Sequence, residues 1–277
     1  MKIGIIGLGL IGGSFVKAIK EYTKHEVYGF DVKNDTVEFA KCMNIIDKIL
    51  DKNTAKECDY IIISVYPKTC LEWINNNKNY IKKGAIVIDC CGVKQSICSE
   101  GFALGKENGF TFVGGHPMAG YHKSGFKYAK ENLFKGASMI LVPENAKNIE
   151  LLANITSFFK SLGFSSITVT DAETHDKNIA FTSQLAHVVS NAYVKSPRAM
   201  VHKGFSAGSY KDLTRVAYLN EDMWTELFMD NKVFIKEEID TIISELQKYS
   251  DAIGKGDSDT LKLLLKEGKD RKELIDK

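Results

Sequence analysis

The sequence predicts an α/β protein in which a mostly parallel, doubly wound sheet is followed by an all-helical C-terminal domain. Three observations predict it. Short β-rich apolar runs alternate with helix-length segments up to about residue 170, the pattern of a parallel sheet covered on both faces. A glycine-rich turn, Gly7-Leu8-Gly9-Leu10-Ile11-Gly12, joins the first of these runs to the first helical stretch. Beyond Asp171 the strand signals stop and long helical periods take over. The period switches without a Pro/Gly-rich linker, dividing the chain into residues 1–170 and 171–277.

Taken in order, Lys2–Ile6 is a short apolar strand, and a helix follows from about Leu10 to Lys20. Val27–Phe30, Tyr60–Val65, Ala85–Asp89, Phe110–Val113 and Ser138–Val142 continue the strands, with helix-compatible segments between most of them. Ile149–Leu162 has helical period and Ser166–Thr170 is a last β-branched strand. In the second part Ala172–Val194 reads as one long helix, Asp222–Tyr249 as helical throughout, and Asp259–Leu274 as amphipathic, with Leu261, Leu264 and Leu265 on one face. Pro67, Pro117, Pro143 and Pro197 all fall at loops or element ends, where a missing donor does no harm. The apolar stretch Phe181–Val194 has to be buried. A helical unit of this size buries it partly against a second copy of the chain, which predicts a homodimer through the helical domain.

Composition narrows the function classes. A net charge of +2 argues against a nucleic acid or an anionic membrane as partner. No apolar run reaches the roughly 18 residues a bilayer span needs, and Met1 leads straight into a strand instead of a leader. Six cysteines without CxxC spacing fit reduced thiols of a cytoplasmic protein, with no disulfide framework and no metal site. All but three of the basic residues are lysine, so Arg198, Arg215 and Arg271 mark places where a planar fork could matter.

In the glycine turn each position has a physical task. Gly7 permits the tight turn, Gly9 lets a pyrophosphate approach the backbone, and Gly12 allows close helix–strand packing. The peptide groups of Leu8, Leu10 and Ile11 complete a loop whose helix N-terminus offers free N–H groups to phosphate. Asp31 ends the next strand, at the spacing of a carboxylate that bonds the ribose hydroxyls. Strand, turn, helix and acid together are the fingerprint of a Rossmann domain. A carboxylate at Asp31 accepts from the 2′-hydroxyl of NAD and repels the 2′-phosphate of NADP, a preference the nearby Lys33 softens.

Ligands of such sheets bind beyond the carboxyl ends of the strands. Three segments emerge there: Ser64–Pro67, with Val65 beside the cofactor, Asp89–Lys94, and Gly114–Gly120. The last holds His116 after a strand ending at Val113, fixed by Pro117 between small residues. An imidazole there can accept a proton near neutral pH. In the helical part, His187 lies within Ser183-Gln184-Leu185-Ala186-His187. Arg215 follows Asp212 by one turn, close enough for the carboxylate to hold the guanidinium toward a substrate carboxylate.

These segments carry a resemblance. Gly-Leu-Gly-Leu-Ile-Gly-Gly-Ser (7–14), Gly-Gly-His-Pro-Met-Ala-Gly (114–120), Thr-His-Asp (174–176), Ser-Gln-Leu-Ala-His (183–187) and Asp-Leu-Thr-Arg followed by Trp224 resemble the prephenate dehydrogenase family, in that family's order and over nearly the whole chain. The resemblance implies a Rossmann domain, a helical dimerisation domain and an active site between them. It implies oxidative decarboxylation of prephenate to 4-hydroxyphenylpyruvate with NAD, a step of tyrosine biosynthesis. His116 then matches the histidine that bonds the C4 hydroxyl, Arg215 the arginine that binds a carboxylate, and His187 a histidine near the side chain. Two departures stand out: Gly92 where the family often has serine, so that a hydroxyl contact is lost or supplied by Cys91, and Tyr121-His122 where it often has Thr-Glu. His122 is expected at the cleft mouth, where protonation would favour capture of a dianion. The alternatives are an arogenate dehydrogenase, a β-hydroxyacid dehydrogenase, which would need a lysine in the interdomain helix, and a non-catalytic NAD sensor.

Overall fold

The computed structural model describes residues 1–121 and 123–276. Eight strands form one sheet in the order β3-β2-β1-β4-β5-β6-β7-β8. They are β1 (Lys2–Ile6), β2 (Glu26–Phe30), β3 (Lys48–Ile49), β4 (Tyr60–Ile63), β5 (Ile86–Asp89), β6 (Thr111–Pro117), β7 (Ser138–Pro143) and β8 (Ser166–Val169). All neighbours pair in parallel except β6 and β7, which are antiparallel. The first-half helices are α1 (Leu10–Tyr22), α2 (Asn34–Cys42), α3 (Pro67–Asn77), α4 (Gln95–Asn108) and α5 (Ile149–Ser161).

Side chains alternate across the sheet, as strand geometry requires. Ile3, Ile5, Tyr60 and Ile62 join one core with Phe15, Phe134 and Phe159, whereas Ile6, Ile61 and Ile63 join the other with Ile74 and Ile97. Both faces are covered, so these strands read as unbroken apolar runs and not as alternation.

The antiparallel pair changes the setting of His116. Sequence placed this residue in a loop after a strand ending at Val113. Instead β6 runs on to Pro117, and His116 sits opposite Ile140 of β7. The parallel pairing of β6 with β5 ends at Val113, and β7 carries the ladder further. Strand pairing therefore holds the imidazole more firmly than a proline-restricted loop would.

After β8 the chain is helical: α6 (Ala172–Ile179), α7 (Ala186–Tyr193), α8 (Gly208–Thr214), α9 (Glu221–Asp230), α10 (Lys232–Lys255) and α11 (Ser258–Ile275). Two expected continuous helices are broken. Ala172–Val194 is interrupted by a π turn at Ala180–Leu185, and Asp222–Tyr249 is divided at Asn231, which closes α9 and opens α10. The expectation that Phe181–Val194 is buried also fails within one chain, because Phe181 is 59% exposed and Tyr193 is exposed as well. On α11 Leu265 faces outward and Leu261 and Leu264 are half-buried. Among the described residues no helix is long and apolar enough to cross a membrane.

Candidate active site

The glycine turn has the geometry its sequence called for. Gly7 adopts a φ of +82°, and a Cβ there would lie 2.6 Å from the Ser64 carbonyl oxygen and from the Val65 side chain. A Cβ on Gly12 would lie 1.9 Å from the Gly7 carbonyl oxygen, so α1 packs on the turn only because Gly12 has none. Around Gly9 an added Cβ meets nothing within 4 Å, which leaves open backbone where a pyrophosphate needs it. Leu10 and Ile11 begin α1 at this point. The Asp31 carboxylate accepts from the Leu8 N–H at 2.7 Å and from the Lys33 N–H at 2.9 Å. With about four acceptor positions on a carboxylate, it braces the turn and retains capacity for ribose hydroxyls. The residues present fit a dinucleotide. Asp31→Ala is expected to weaken use of NAD and narrow its advantage over NADP, read as kcat/KM with each cofactor; equal use of both by the parent would contradict the assignment.

Beyond the strand ends the structure assembles a chain of polar groups that sequence did not connect. His116 Nδ1 lies 2.9 Å from His175 Nε2, and His175 Nδ1 lies 2.7 Å from Asp176 Oδ1. A carboxylate accepts, so His175 carries its proton on Nδ1 and presents a bare Nε2. His116 must then donate from Nδ1, which leaves its Nε2 unprotonated and free to accept. Asp176 is fixed in turn by the N–H groups of Lys94 (2.8 Å) and Gln95 (2.9 Å) at the start of α4, where a carboxylate is favoured.

A second network supports the strand itself. Asp89 accepts from the N–H of Gly115 (3.0 Å), the residue before His116, and from the N–H of Cys91 (2.8 Å). The fully buried Lys94 ammonium meets Asp89 at 2.5 Å and the carbonyls of Cys91 and Val93 at 2.9 Å each. Burial alone would discharge this lysine, but the Asp89 carboxylate beside it keeps it charged.

Burial, then the positive potential of His175 and Lys94, hold His116 well below the usual histidine range. Burial likewise lowers His175, against the opposing pull of Asp176. At neutral pH His116 is therefore a neutral acceptor. The unfolded chain would bind protons near pH ~6.5 that these buried rings refuse. Stability is complete above that value and falls as pH drops through it. The thermal midpoint should decline below about pH 6 in the parent, and less so in His116→Asn; a flat profile would contradict neutral burial.

Of the helical candidates, His187 lies on α7 against α9 and Arg215 ends α8. His187 is half-buried against Trp224, ring centroids 4.0 Å apart, with Nδ1 2.9 Å from the Val216 carbonyl oxygen. Its pKa is lowered by burial, against the opposing bond to the Val216 carbonyl, and the Arg215 charge lowers it further. Arg215 itself is exposed at the end of α8. The expected Asp212–Arg215 pair is not among the ion pairs of the described residues: Arg215 caps the helix as the chain leaves it, and Asp212 stays exposed on the turn before. A Cβ on Gly92 would lie 3.4 Å from Leu227 of α9, and Lys68 N–H donates to Glu226 at 2.7 Å, so α9 closes over the carboxyl ends of the strands. Cys91 donates its thiol to the Val65 carbonyl oxygen at 3.4 Å, so it faces the cofactor turn. His122 lies outside the described residues. No group of metal-ligating side chains occurs among the described residues.

His175, Asp176 and Lys94 are the site residues that sequence reasoning left without roles. Thr-His-Asp was visible only as part of a resemblance, because its partners lie 59 residues away at His116 and 82 away at Lys94.

Comparison with known proteins places this geometry. The family model for the prephenate dehydrogenase nucleotide-binding domain matches residues 15–168, and that for the prephenate dehydrogenase dimerization domain matches residues 171–267. A prephenate dehydrogenase of Lactococcus lactis is 33% identical over 97% of this chain and 75% of its own. The structure of prephenate dehydrogenase from A. aeolicus in complex with hydroxyphenyl propionate and NAD+ superposes with a TM-score of 0.86, at 27% identity over 99% of this chain and 98% of that one. A Synechocystis arogenate dehydrogenase superposes at 0.81, with 25% identity over 99% of this chain and all of the other. With both family models matched in order and the strand, turn and histidine geometry in place, the chain belongs to the prephenate dehydrogenase family.

Proposed function

We propose that this chain catalyses the NAD-dependent oxidative decarboxylation of prephenate to 4-hydroxyphenylpyruvate, the dehydrogenase step of tyrosine biosynthesis. The observation that carries the reading is the His116–His175–Asp176 chain, which presents one bare imidazole nitrogen on the sheet whose β1 leads into the dinucleotide-binding turn. Residues 7–12, Asp31 and Val65 would hold NAD, which when bound would supply the acceptor for the hydride that leaves C4.

His116 Nε2 accepts the C4 hydroxyl proton as that carbon becomes a carbonyl. The C1–carboxylate bond then breaks, its electron pair aromatises the ring, and His116 returns the proton to the phenolate oxygen. Atoms and charge balance with one carbon dioxide released and no net proton. Aromatisation drives the second half, so a base worth about 10²–10⁴-fold suffices. His175 and Asp176 keep His116 in the productive tautomer. Arg215 takes a substrate carboxylate, His187 stands by the side chain, and Gly92 lies against Leu227 of α9.

Arg215→Lys keeps the charge but loses the fork, so KM should rise about ten- to hundredfold, the equivalent of ~1.5–3 kcal/mol for a charged hydrogen bond. An unchanged KM would remove Arg215 from the site. Arogenate is the second reading, supported by the Synechocystis enzyme's likeness; it differs only in the group on the side chain. Comparing kcat/KM for prephenate and arogenate decides between them, and turnover of neither would sink both.

We further propose that residues 1–170 form the dinucleotide domain and 171–277 the substrate and dimerisation domain of a cytoplasmic homodimer. Met200 at 87% exposure and Phe205 at 94%, with Val201, Leu274 and Ile275, are exposed apolar side chains of the helical half of the kind a second copy would cover. Sedimentation at the mass of one chain would contradict the dimer.

A further inference from the structure

The interdomain helix does not run straight. Its π turn, Ala180–Leu185, lies between His175 on α6 and His187 on α7. These histidines are twelve residues apart in the chain. At about 100° per residue, a regular α-helix would set them roughly 120° apart around its axis. A π turn takes up one extra residue, which brings them to within about 20° of each other.

What grips this turn lies outside it. Asn231, between α9 and α10, is 2% exposed. Its Nδ2 donates to the main-chain oxygen of Asp176 at 2.9 Å and to Oε1 of Gln184 at 2.7 Å, one contact before the π turn and one within it. Gln184 Nε2 and the Asn231 N–H both donate to the Leu227 carbonyl oxygen, at 3.3 and 3.2 Å. The Asp176 carbonyl already accepts its helical bond from Ala180, so the Asn231 amide is an added donor where the ladder shifts. Asn231 Oδ1 is buried without a hydrogen-bond partner among the described residues. An apolar side chain of similar shape would not carry that burden.

We propose that Asn231 is a positioning residue that clamps the π turn and so keeps His175 and His187 facing one cleft. The inference rests on the site reading above. Without the clamp the turn relaxes toward an ordinary α ladder. Because Asp176 stays tied to the start of α4, the strain falls on α7, which rotates by about 100° and draws His187 away from Trp224 and the Val216 carbonyl.

The test uses the full-length protein with Asn231→Leu, alone and combined with deletion of Thr182, an exposed residue of the π turn. The deletion supplies by sequence the register that the clamp supplies by hydrogen bonding. Readouts are kcat and KM with prephenate, NAD affinity, thermal midpoint, and the ¹⁵N signature of the His187 ring, which needs no turnover. The single variant should lose about tenfold or more in kcat/KM with NAD affinity kept, the midpoint held or raised, and the His187 tautomer averaged. The deletion should restore most of the loss. Parental values in the single variant, or a folded double variant that recovers neither kcat/KM nor the His187 signal, would overturn the clamp. If Asn231→Leu does not fold, Gln184→Leu frees one end and should move the same readouts in the same direction; parental values there would overturn the clamp too. A His187 signal that responds in a protein unable to turn over prephenate would refute the functional reading and leave the clamp standing.

Discussion

His116→Asn is expected to lower kcat by about two orders of magnitude or more, with NAD affinity close to the parent's. The size follows from what the ring does. Its Nε2 is the acceptor left bare once Asp176 fixes the proton on His175 and His175 fixes the proton on His116. Asparagine can still bond the C4 hydroxyl but cannot take its proton. The residues that would hold NAD, around Gly7, Gly9 and Asp31, follow β1 and β2 and make none of the His116 contacts, so they are spared. Steady-state kcat and a direct titration of NAD check both halves. A variant with most of its kcat would make His116 structural.

Asp176→Asn is expected to cost on the order of 10²–10⁴-fold in kcat, as loss of the acid that orients a catalytic histidine does elsewhere. The carboxylate accepts three donors: His175 Nδ1–H and the N–H groups of Lys94 and Gln95. His175 and the Lys94 N–H share Oδ1, whereas the Gln95 N–H bonds Oδ2. When the amide keeps its oxygen on Gln95, its NH₂ takes the Oδ1 position, faces His175 with a donor, and the proton there moves to Nε2. His116 would then meet a donor at Nδ1 and shift its own proton to Nε2, the atom required as acceptor. KM for prephenate should change little, because no substrate contact is lost. ¹⁵N shifts of His116 should report the swapped tautomer; a swapped His116 with normal kcat would refute the relay.

Much of this was legible in the sequence. Gly7, Gly9 and Gly12 followed by Asp31 announced the dinucleotide turn because each constraint there is local, within one strand–turn–helix unit. The apolar runs gave the strands, since burial on both faces leaves no polar alternation to misread. What stayed hidden depends on distant pairing. The extension of β6 to Pro117 needs β7, whose antiparallel course no local signal reveals. The breaks at Ala180–Leu185 and Asn231 are invisible to a helical period, because a π turn and a tight helix junction use ordinary helix-compatible residues. Asp212 and Arg215 show the converse: a favourable spacing on a helix does not ensure a bond when both side chains are exposed to solvent.

The central claim is hydride transfer from C4 of prephenate with loss of its ring carboxylate. Prephenate deuterated at C4, incubated with the purified protein and NAD, tests it most directly. The account predicts one deuterium in each reduced nicotinamide, matched by one carbon dioxide and one 4-hydroxyphenylpyruvate. Reduced cofactor without deuterium, or its formation without carbon dioxide, would contradict it.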